Sequence, residues 1–282
     1  MIWKFRNHSF DLSSRSLILG ILNATPDSFS DGGRFSDPES ACLRGMKLLE
    51  EGADLLDVGG ESTRPGALPV SAREELDRVL PVIELLRRRT VAPISIDTSK
   101  ALVAEAALAA GADIINDVTA LRGDPRMGMV AASSGAGLIL MHMQGSPRTM
   151  QSGPSYPGND VVGEVSKFLS ERRAAALGLG VEAAAIILDP GLGFGKTTAH
   201  NLALLRGIPR LASLGSPLMI GHSGKSFLGA ALGAVNDDPS QRIWAGVAVT
   251  GMARELGARL FRVHEARPHR EALGITEAIA GA

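Results

Sequence analysis

The chain has 282 residues, of which 45% are hydrophobic and 21% are charged, and its formal net charge is −1. This composition is globular, and the near-zero charge with only 4% aromatic residues argues against nucleic-acid and membrane-surface partners. The single cysteine, Cys42, excludes an internal disulfide and a thiolate metal cluster, and no apolar run approaches the roughly 18 residues of a membrane span, so we expect a cytoplasmic protein.

Apolar runs and turn residues predict a chain of alternating strands and helices. A hairpin of residues 2–5 and 9–12 comes first, and we expect it to close the bottom of the structure that follows. The later predicted strands are 17–22, 54–58, 93–96, 113–115, 137–141, 185–188, 217–220 and 260–263. The predicted helices are 38–51, 72–88, 101–110, 124–134, 160–178, a helix through 202–208, 240–256 and 271–279.

Residue spacing predicts how some of these helices begin and which side they bury. Ser71 and Glu74 have the spacing of a capping box at the start of the second helix. The predicted buried faces are Cys42, Met46 and Leu49 in the first helix and Ile243, Val247 and Met252 in the helix over 240–256.

A Gly-Ala pair recurs between a helix and the next strand, at residues 52–53, 111–112, 135–136 and 257–258. A glycine in the left-handed conformation at the end of a helix lets the chain turn directly into the sheet. Eight such units predict an α/β fold, a (β/α)8 TIM barrel formed as a single domain by residues 1–282. A doubly wound open sheet is the structural alternative.

Polar residues end the predicted strands or follow them closely: Asn23, Asp97, Asn116, Asp189, Lys225, Arg262 and His264. Each has a simpler explanation. An aspartate can cap the next helix, Asn116 and Asp117 can form a turn, Arg262 can face solvent and His264 can be structural. On a barrel, however, the carboxyl ends of all strands meet at one face. Their joint convergence therefore predicts a binding site there.

The chemistry of these residues divides by charge. The acceptors and amide of Asp97, Asn116 and Asp189 suit a flat heterocycle that carries several N–H donors. Cationic and amide groups suit a phosphate or diphosphate, with a divalent cation beside Asn23; they are Asn23, Arg64, Arg262 and His264. Lys225, at the start of a helix after strand seven, is also in a favourable place for an anion.

Two glycine-rich runs are similar to phosphate-binding loops, but neither has the required spacing. In residues 191–197 the first glycine of the motif is replaced by Pro190, and in residues 221–226 by Met219. Neither run is a Walker A motif or a dinucleotide fingerprint. The sequence therefore argues against a nucleotide hydrolase and a dinucleotide-dependent enzyme.

Eight segments, in order and spread over nearly the whole chain, together resemble the dihydropteroate synthase family. They are ILNATPDSFSDGG (21–33), GGESTRPGA (59–67), SIDTSK (95–100), INDV (115–118), MHMQGSPRTMQ (141–151), LDPGLGFGKT (188–197), GKSFLG (224–229) and RVHE (262–265). The first two are specific to that family, whereas the strand-end aspartates and asparagine are shared with other pterin-binding barrels.

The resemblance implies a TIM barrel that joins 6-hydroxymethyl-7,8-dihydropterin diphosphate to 4-aminobenzoate, giving 7,8-dihydropteroate and diphosphate. It implies a dissociative reaction, in which diphosphate leaves first and the aniline nitrogen captures a pterin methylene cation. No covalent nucleophile is needed, so Cys42 has no implied role. The resemblance also implies magnesium as cofactor, sensitivity to sulfonamides, and a homodimer through the helices around the last two strands.

The resemblance assigns residues to three subsites. The pterin would contact Asp97, Asn116, Met141, Asp189, Phe194 and Lys225. The diphosphate would contact Asn23, Thr63, Arg64, Arg262 and His264, with magnesium at Asn23. The aminobenzoate would contact Phe29, Pro65 and Ser226, with Asp31 near its amine. The implied catalytic residues are Asn23, Asp31, Asp97, Lys225, Arg262 and His264.

One position departs from the family pattern. The family usually has Ser-Arg-Lys-Ser after strand seven, and this chain has Gly224 in place of the arginine. Because this guanidinium is missing, the resemblance does not predict how tightly the chain holds aminobenzoate and its analogues.

Three other functions remain as alternatives. A pterin-dependent methyltransferase would have no use for a diphosphate subsite. A metal-dependent hydrolase could use His142, His222 and His264 but would be expected to have His-x-His after strand one, where this chain has 23–25, Asn-Ala-Thr. The third is a pterin-binding relative without catalytic activity, which is suggested by Gly224 in the position where the family usually has arginine.

Overall fold

Eight parallel strands form one sheet that closes on itself. The computed structural model describes residues 1–25, 37–233 and 242–281. The strands are β3 (Leu17–Asn23), β4 (Leu55–Gly59), β5 (Ile94–Asp97), β6 (Ile114–Asp117), β7 (Gly137–Met141), β8 (Ile186–Asp189), β9 (Met219–Ile220) and β10 (Leu260–Val263). Their order is β8-β7-β6-β5-β4-β3-β10-β9, and a bridge between Leu188 and Leu218 joins β8 to the segment before β9. The predicted barrel is confirmed, and the open sheet is excluded.

Helices follow the strands around the outside of the barrel. Among the described residues they are α1 (Pro38–Glu50), α2 (Ala72–Arg89), α3 (Ala101–Ala110), α4 (Met127–Ser134), α5 (Val161–Gly178), α6 (Thr198–Arg206), α7 (Ile208–Ala212), α8 (Ser226–Ala231), α9 (Ile243–Leu256) and α10 (Ala266–Ala280). The helix predicted through 202–208 is two helices in the structure, because α6 ends and α7 begins at Gly207. No described helix combines the length and hydropathy needed to cross a bilayer.

A two-stranded hairpin, β1 (Ile2–Phe5) and β2 (His8–Asp11), closes the amino-terminal end of the barrel, as predicted. Trp3 is fully buried, and its indole Nε1 donates to the Ala185 carbonyl, just before β8, at 3.1 Å. The Arg6 guanidinium donates to the Ala112 carbonyl, before β6, at 2.6 Å. The hairpin therefore covers this end of the barrel and leaves the carboxyl ends of the described strands open.

Helix ends were predicted better than helix faces. The four glycines of the Gly-Ala pairs all have positive φ, between 63° and 118°. Ser71 accepts from the Glu74 amide, but the Glu74 carboxylate pairs with Arg78, so only half of the predicted capping box forms.

The predicted buried face of α9 is wrong in register, and that of α1 is right only in part, since Cys42 is buried and Leu49 packs against the core from its edge. In α1 the buried residues are Ala41, Cys42, Gly45 and Leu48, whereas Met46 and Leu49 are half-buried. In α9 they are Gly246, Thr250, Ala253 and Arg254, and Met252 is 43% exposed. Glycines let both helices approach their neighbours closely: a Cβ would lie 2.9 Å from the Leu86 side chain at Gly45 and 3.4 Å from the His269 ring at Gly246.

Candidate active site

A hydrogen-bonded network of charged and amide side chains joins four strands inside the carboxyl-terminal mouth of the barrel. The Arg262 guanidinium on β10 donates from Nε to Asp57 Oδ2 at 2.6 Å and from Nη2 to Asp97 Oδ2 at 2.7 Å. Asn116 on β6 donates from Nδ2 to the same Asp57 oxygen at 3.0 Å. Asp57, Asp97 and Asn116 are all nearly inaccessible to solvent. The convergence predicted for Asp97, Asn116 and Arg262 is therefore found.

The simpler explanations fit some of these residues and not others. Asp97 does not cap the next helix. The N-cap residue of α3 is Lys100, which makes no side-chain capping hydrogen bond, and the Asp97 carboxylate accepts a hydrogen bond from Arg262. Arg262 points into the barrel rather than to solvent. Asp117 is a turn former, since its carboxylate accepts from the amides of Thr119 and Leu121 at 2.8 and 2.7 Å. Asn116, next to it, belongs to the site.

Asp189 and Lys225 face the same part of the mouth from β8 and the start of α8. Burial raises the pKa of Asp189 to about 6, although a hydrogen bond from the Gly191 amide at 2.7 Å and the nearby Lys225 and Arg262 favour its charged form. Burial and the Arg262 charge lower the pKa of Lys225 to about 8, against the attraction of Asp189 and Asp97. At neutral pH both groups are charged.

An apolar surface lies beside these charges. The buried residues Val118, Met141, Met143, Met150 and Phe194 form a cluster separate from the main core. Lys225 Nζ lies 4.0 Å from the centroid of the Phe194 ring, which is close enough for a cation–π interaction. Met141 and Phe194 were predicted to line a slot, and they do lie together in this cluster. Its other members, Val118, Met143 and Met150, were not predicted.

The loop that carries Phe194 is held from several sides. Asn201 Oδ1 accepts from the Gly193 amide at 2.8 Å, and Gln151 Nε2 donates to the Gly193 carbonyl at 2.6 Å. The ammonium of Lys196, which is 3% exposed, donates to the Phe194 carbonyl and contacts His142 Nδ1, both at 2.9 Å. Burial lowers the pKa of Lys196 to about 7. These contacts fix the Phe194 ring beneath Lys225.

His264 marks a strongly cationic side of the mouth. Its Nδ1 lies 3.1 Å from Ser223 Oγ. Burial, followed by the charges of Arg262, Lys225, Arg64 and Arg44, lowers the pKa of His264 to about 4. The imidazole is therefore neutral at pH 7. Arg262 and Arg44 are themselves paired with carboxylates, so Arg64 and Lys225 are the cations that most favour an anionic ligand here.

Residues 60–66, between β4 and α2, bring Thr63, Arg64 and Pro65 to the mouth. Glu61 anchors this loop through an ion pair with Lys100, which also pairs with the buried Glu75 at 2.5 Å. The Gly66 amide donates to the Pro147 carbonyl at 3.0 Å. Thr63 is half-buried, whereas Arg64 and Pro65 are exposed.

A cavity of about 330 Å³ opens next to this loop. Its lining includes Pro65, Gln151, Thr197, Asn201 and Ser226. The structure therefore brings together Pro65 and Ser226, two of the residues predicted to contact one ligand. Phe29 and Asp31, predicted to belong to the same subsite, lie outside the described residues.

Asp57 and Lys196 are buried charged residues at the mouth of the barrel that sequence reasoning missed. Asp57 lies within a predicted strand, one residue before its predicted end, where a fully buried carboxylate is unusual enough to be a signal. Lys196 lies in a glycine-rich run that resembles both a phosphate loop and a family segment, and neither resemblance assigns the lysine a role.

Comparison with known proteins agrees with this geometry. The family model described as pterin binding enzyme matches residues 19–264. A dihydropteroate synthase of Synechocystis is 44% identical over 96% of this chain and 92% of its own length. The structure of the Xanthomonas albilineans dihydropteroate synthase with 4-aminobenzoic acid has a TM-score of 0.91 at 44% identity, covering 100% of this chain and 98% of that one. The Yersinia pestis dihydropteroate synthase in a sulfonamide complex has a TM-score of 0.92 at 42% identity, with both chains fully covered.

Proposed function

This chain belongs to the dihydropteroate synthase family, and from that membership we propose that it joins 6-hydroxymethyl-7,8-dihydropterin diphosphate to 4-aminobenzoate, releasing 7,8-dihydropteroate and diphosphate. The observation that carries the proposal is the pairing of two chemistries in one barrel mouth. Buried acceptors at Asp97 and Asp189 lie beside a cationic region around Arg262 and His264.

The pterin half of the substrate would contact the buried side. Asp97 and Asp189 accept hydrogen bonds from ring and amino N–H groups, and Asn116 supplies an amide on the same side. Met141 and Phe194 supply an apolar wall for the flat ring. Lys225, lying over Phe194, adds a donor for a ring oxygen or nitrogen.

The diphosphate half would contact the cationic side, which is formed by Arg64 and Arg262, with the neutral His264 and Thr63 beside them. We propose that diphosphate leaves first and that the aniline nitrogen then captures a pterin methylene cation. The carboxylate of Asp189, whose pKa of about 6 leaves it charged at neutral pH, favours positive charge on the pterin, and Asp97 adds to this in its ionised form. The cations favour negative charge on the leaving group. No covalent intermediate with the protein is required, and the buried Cys42 on α1 lies outside the mouth.

Magnesium fits the residues present if it arrives with the diphosphate. Asn23 ends β3 half-buried and offers one amide oxygen, a hard ligand. Magnesium is commonly held by one or two protein oxygens together with substrate phosphates. The described part of the chain has no group of three histidine, cysteine or acidic residues that would hold a metal alone. Bound there, the ion would supply charge stabilisation for the leaving diphosphate.

The aminobenzoate would occupy the cavity beside Pro65 and Ser226. The cavity lining includes Gly193 and Ser226, the chain neighbours of Phe194 and Lys225, so the aniline nitrogen would approach the pterin methylene carbon from that side. Phe29 and Asp31 remain proposed members of this subsite on the basis of family resemblance.

Gly224 has a φ of +70°, so an arginine there should cost stability rather than simply restore a contact. We expect Gly224→Arg to destabilise the fold by about 1 kcal/mol, because a residue with a Cβ is strained in this conformation. Thermal melts measure this, and Gly224→Ala is the control for strain without charge. An aminobenzoate KM lowered in Gly224→Arg but not in Gly224→Ala would isolate the effect of the guanidinium. A wild-type melting temperature for both variants would contradict the prediction.

A homodimer through the helices around the last two strands also remains a proposal. Large apolar side chains are exposed on α9 and α10: Trp244 is 73%, Ile275 61% and Ile279 80% accessible. Exposed apolar groups on neighbouring helices favour a protein interface. Sedimentation of Trp244→Glu should give a monomer, whereas Val91→Glu, at a site 89% exposed elsewhere, should not change the mass.

One assay distinguishes the proposed reaction from its alternatives. We expect diphosphate release only when both the pterin diphosphate and 4-aminobenzoate are present. A methyltransferase would release none. A relative without catalysis would bind free pterin in calorimetry yet release no diphosphate, and that result would overturn the proposal.

A further inference from the structure

Asp57 holds two substrate-facing residues with one oxygen atom. Its carboxylate is fully buried in β4, and Oδ2 accepts from Arg262 Nε at 2.6 Å and from Asn116 Nδ2 at 3.0 Å. Its other oxygen, Oδ1, is buried without a hydrogen-bond partner among the described residues. Asp57 is therefore bound on one side only, toward the site.

The two donors belong to different halves of the proposed site. Arg262 is on the diphosphate side, and Asn116 is on the pterin side. Arg262 also donates from Nη2 to Asp97, so three of the strand ends are joined through Asp57 and one guanidinium. No described residue accepts a hydrogen bond from Arg262 Nη1, which leaves that nitrogen available for an anionic ligand.

Stability alone does not account for this arrangement. Desolvating a carboxylate and a guanidinium costs several kcal/mol, and a buried ion pair of this kind often stabilises a fold no better than apolar residues would. The two hydrogen bonds do, however, remove rotational freedom from the Arg262 and Asn116 side chains. Groups held in place before binding lose less entropy when the substrate arrives.

We propose that Asp57 is a positioning residue that holds Arg262 and Asn116 as one unit, so that the pterin and diphosphate halves of the substrate meet a preorganised surface. This inference rests on the proposed function for the identity of the substrate. Asp57 acts through its two partners and contacts neither half of the substrate itself.

Two substitutions separate the hydrogen bonds from the charge. Asp57→Ala removes both bonds. Asp57→Asn can keep both, because the amide oxygen can replace Oδ2 while the NH2 group takes the position of Oδ1, which has no partner. Ser95→Ala is the matched control: Ser95 pairs with Asp57 in the β4–β5 register, and its hydroxyl is buried without a partner among the described residues.

Calorimetry should be done with two separate probes, 6-hydroxymethyl-7,8-dihydropterin and inorganic diphosphate, alongside steady-state kinetics of the full chain. We expect Asp57→Ala to weaken both probes about tenfold or more and to raise KM for the pterin diphosphate. Asp57→Asn should stay within about threefold of the wild type for both probes, since it keeps the oxygen acceptor. Ser95→Ala should match the wild type.

Asp57→Asn also carries a signature that a merely structural residue would not. Asp97 has a pKa raised to about 7 by burial, with Asp57, Glu75 and Asp117 contributing and Arg262 opposing. Removing the Asp57 charge should lower that pKa. The acid side of the pterin-binding profile should therefore shift to lower pH in Asp57→Asn and not in Ser95→Ala.

Several outcomes would overturn the inference. Asp57→Ala could melt at a lower temperature yet bind both probes with wild-type affinity, which would make Asp57 purely structural. It could also weaken only one probe, which would contradict joint positioning. If Asp57→Ala does not fold, an unchanged pH profile in Asp57→Asn would still count against the proposal. Both probes bind without turnover, so these results are independent of whether the wild type releases diphosphate.

Discussion

Asp189→Asn should lose free-pterin affinity by about 10- to 100-fold while the protein remains folded. A pterin edge presents N–H donors, and a carboxylate accepts from them with either oxygen. If the amide oxygen keeps the hydrogen bond from the Gly191 amide, now 2.7 Å from Asp189 Oδ1, the NH2 group must face those donors. Such a donor–donor conflict, with the loss of a charge-assisted bond, costs about 1.5–3 kcal/mol. Calorimetry with the free pterin measures the loss.

Asp117→Asn is the control for this substitution. Asp117 is also a buried strand-end carboxylate, but its oxygens bind the turn at Thr119 and Leu121. We expect this variant to melt at a lower temperature and to keep its pterin affinity. Normal turnover by Asp189→Asn would refute the assignment of Asp189 as a pterin anchor.

Acid should imitate the Asp189 substitution. The pKa of Asp189 is raised to about 6, and below that pH the carboxyl group carries a proton and becomes a donor. Asp97, with a pKa raised to about 7, protonates even earlier. Free-pterin affinity should therefore fall as the pH decreases from neutral to about 5. A constant affinity over that range would mean that neither carboxylate accepts from the ring.

The sequence predicted where the site is better than how its members interact. The strand-end positions of Asp97, Asn116, Asp189 and His264 follow from local patterns, because an apolar run that ends in a polar residue places that residue at the mouth of a barrel. Asp57 and Arg262 are 205 residues apart in the chain, and their hydrogen bond depends on how the barrel closes. No local pattern contains that information.

The same limit applies to the division of the site by charge. From sequence, Arg262 belongs with the phosphate-binding residues and Asp97 with the heterocycle-binding ones. In the structure the two are hydrogen-bonded at 2.7 Å, so neither half of the site can change without the other. A substitution at Arg262 must therefore be considered together with the carboxylates that it neutralises.

Arg262→Ala should abolish diphosphate binding, weaken pterin binding and destabilise the fold together. Sequence alone predicts only the first effect, with free-pterin binding nearly intact. The structure adds the other two, because Asp57 and Asp97 would be left as buried carboxylates without their shared counter-ion. Removing one partner of a buried ion pair costs about 3–5 kcal/mol. Thermal melts should therefore show a fall on the order of 10 °C.

The double variant Arg262→Ala with Asp57→Asn tests whether buried carboxylates without a counter-ion cause the lower melting temperature. Removing one of the two uncompensated carboxylates should recover part of the lost melting temperature, and the difference from additivity measures the coupling between the two positions. Diphosphate binding should not return, because no cation replaces the guanidinium. Pterin affinity should partly recover, since Asp97 then has one fewer negative neighbour and ionises more readily. Strictly additive melting temperatures, or wild-type pterin binding by Arg262→Ala alone, would show that the guanidinium does not control these carboxylates.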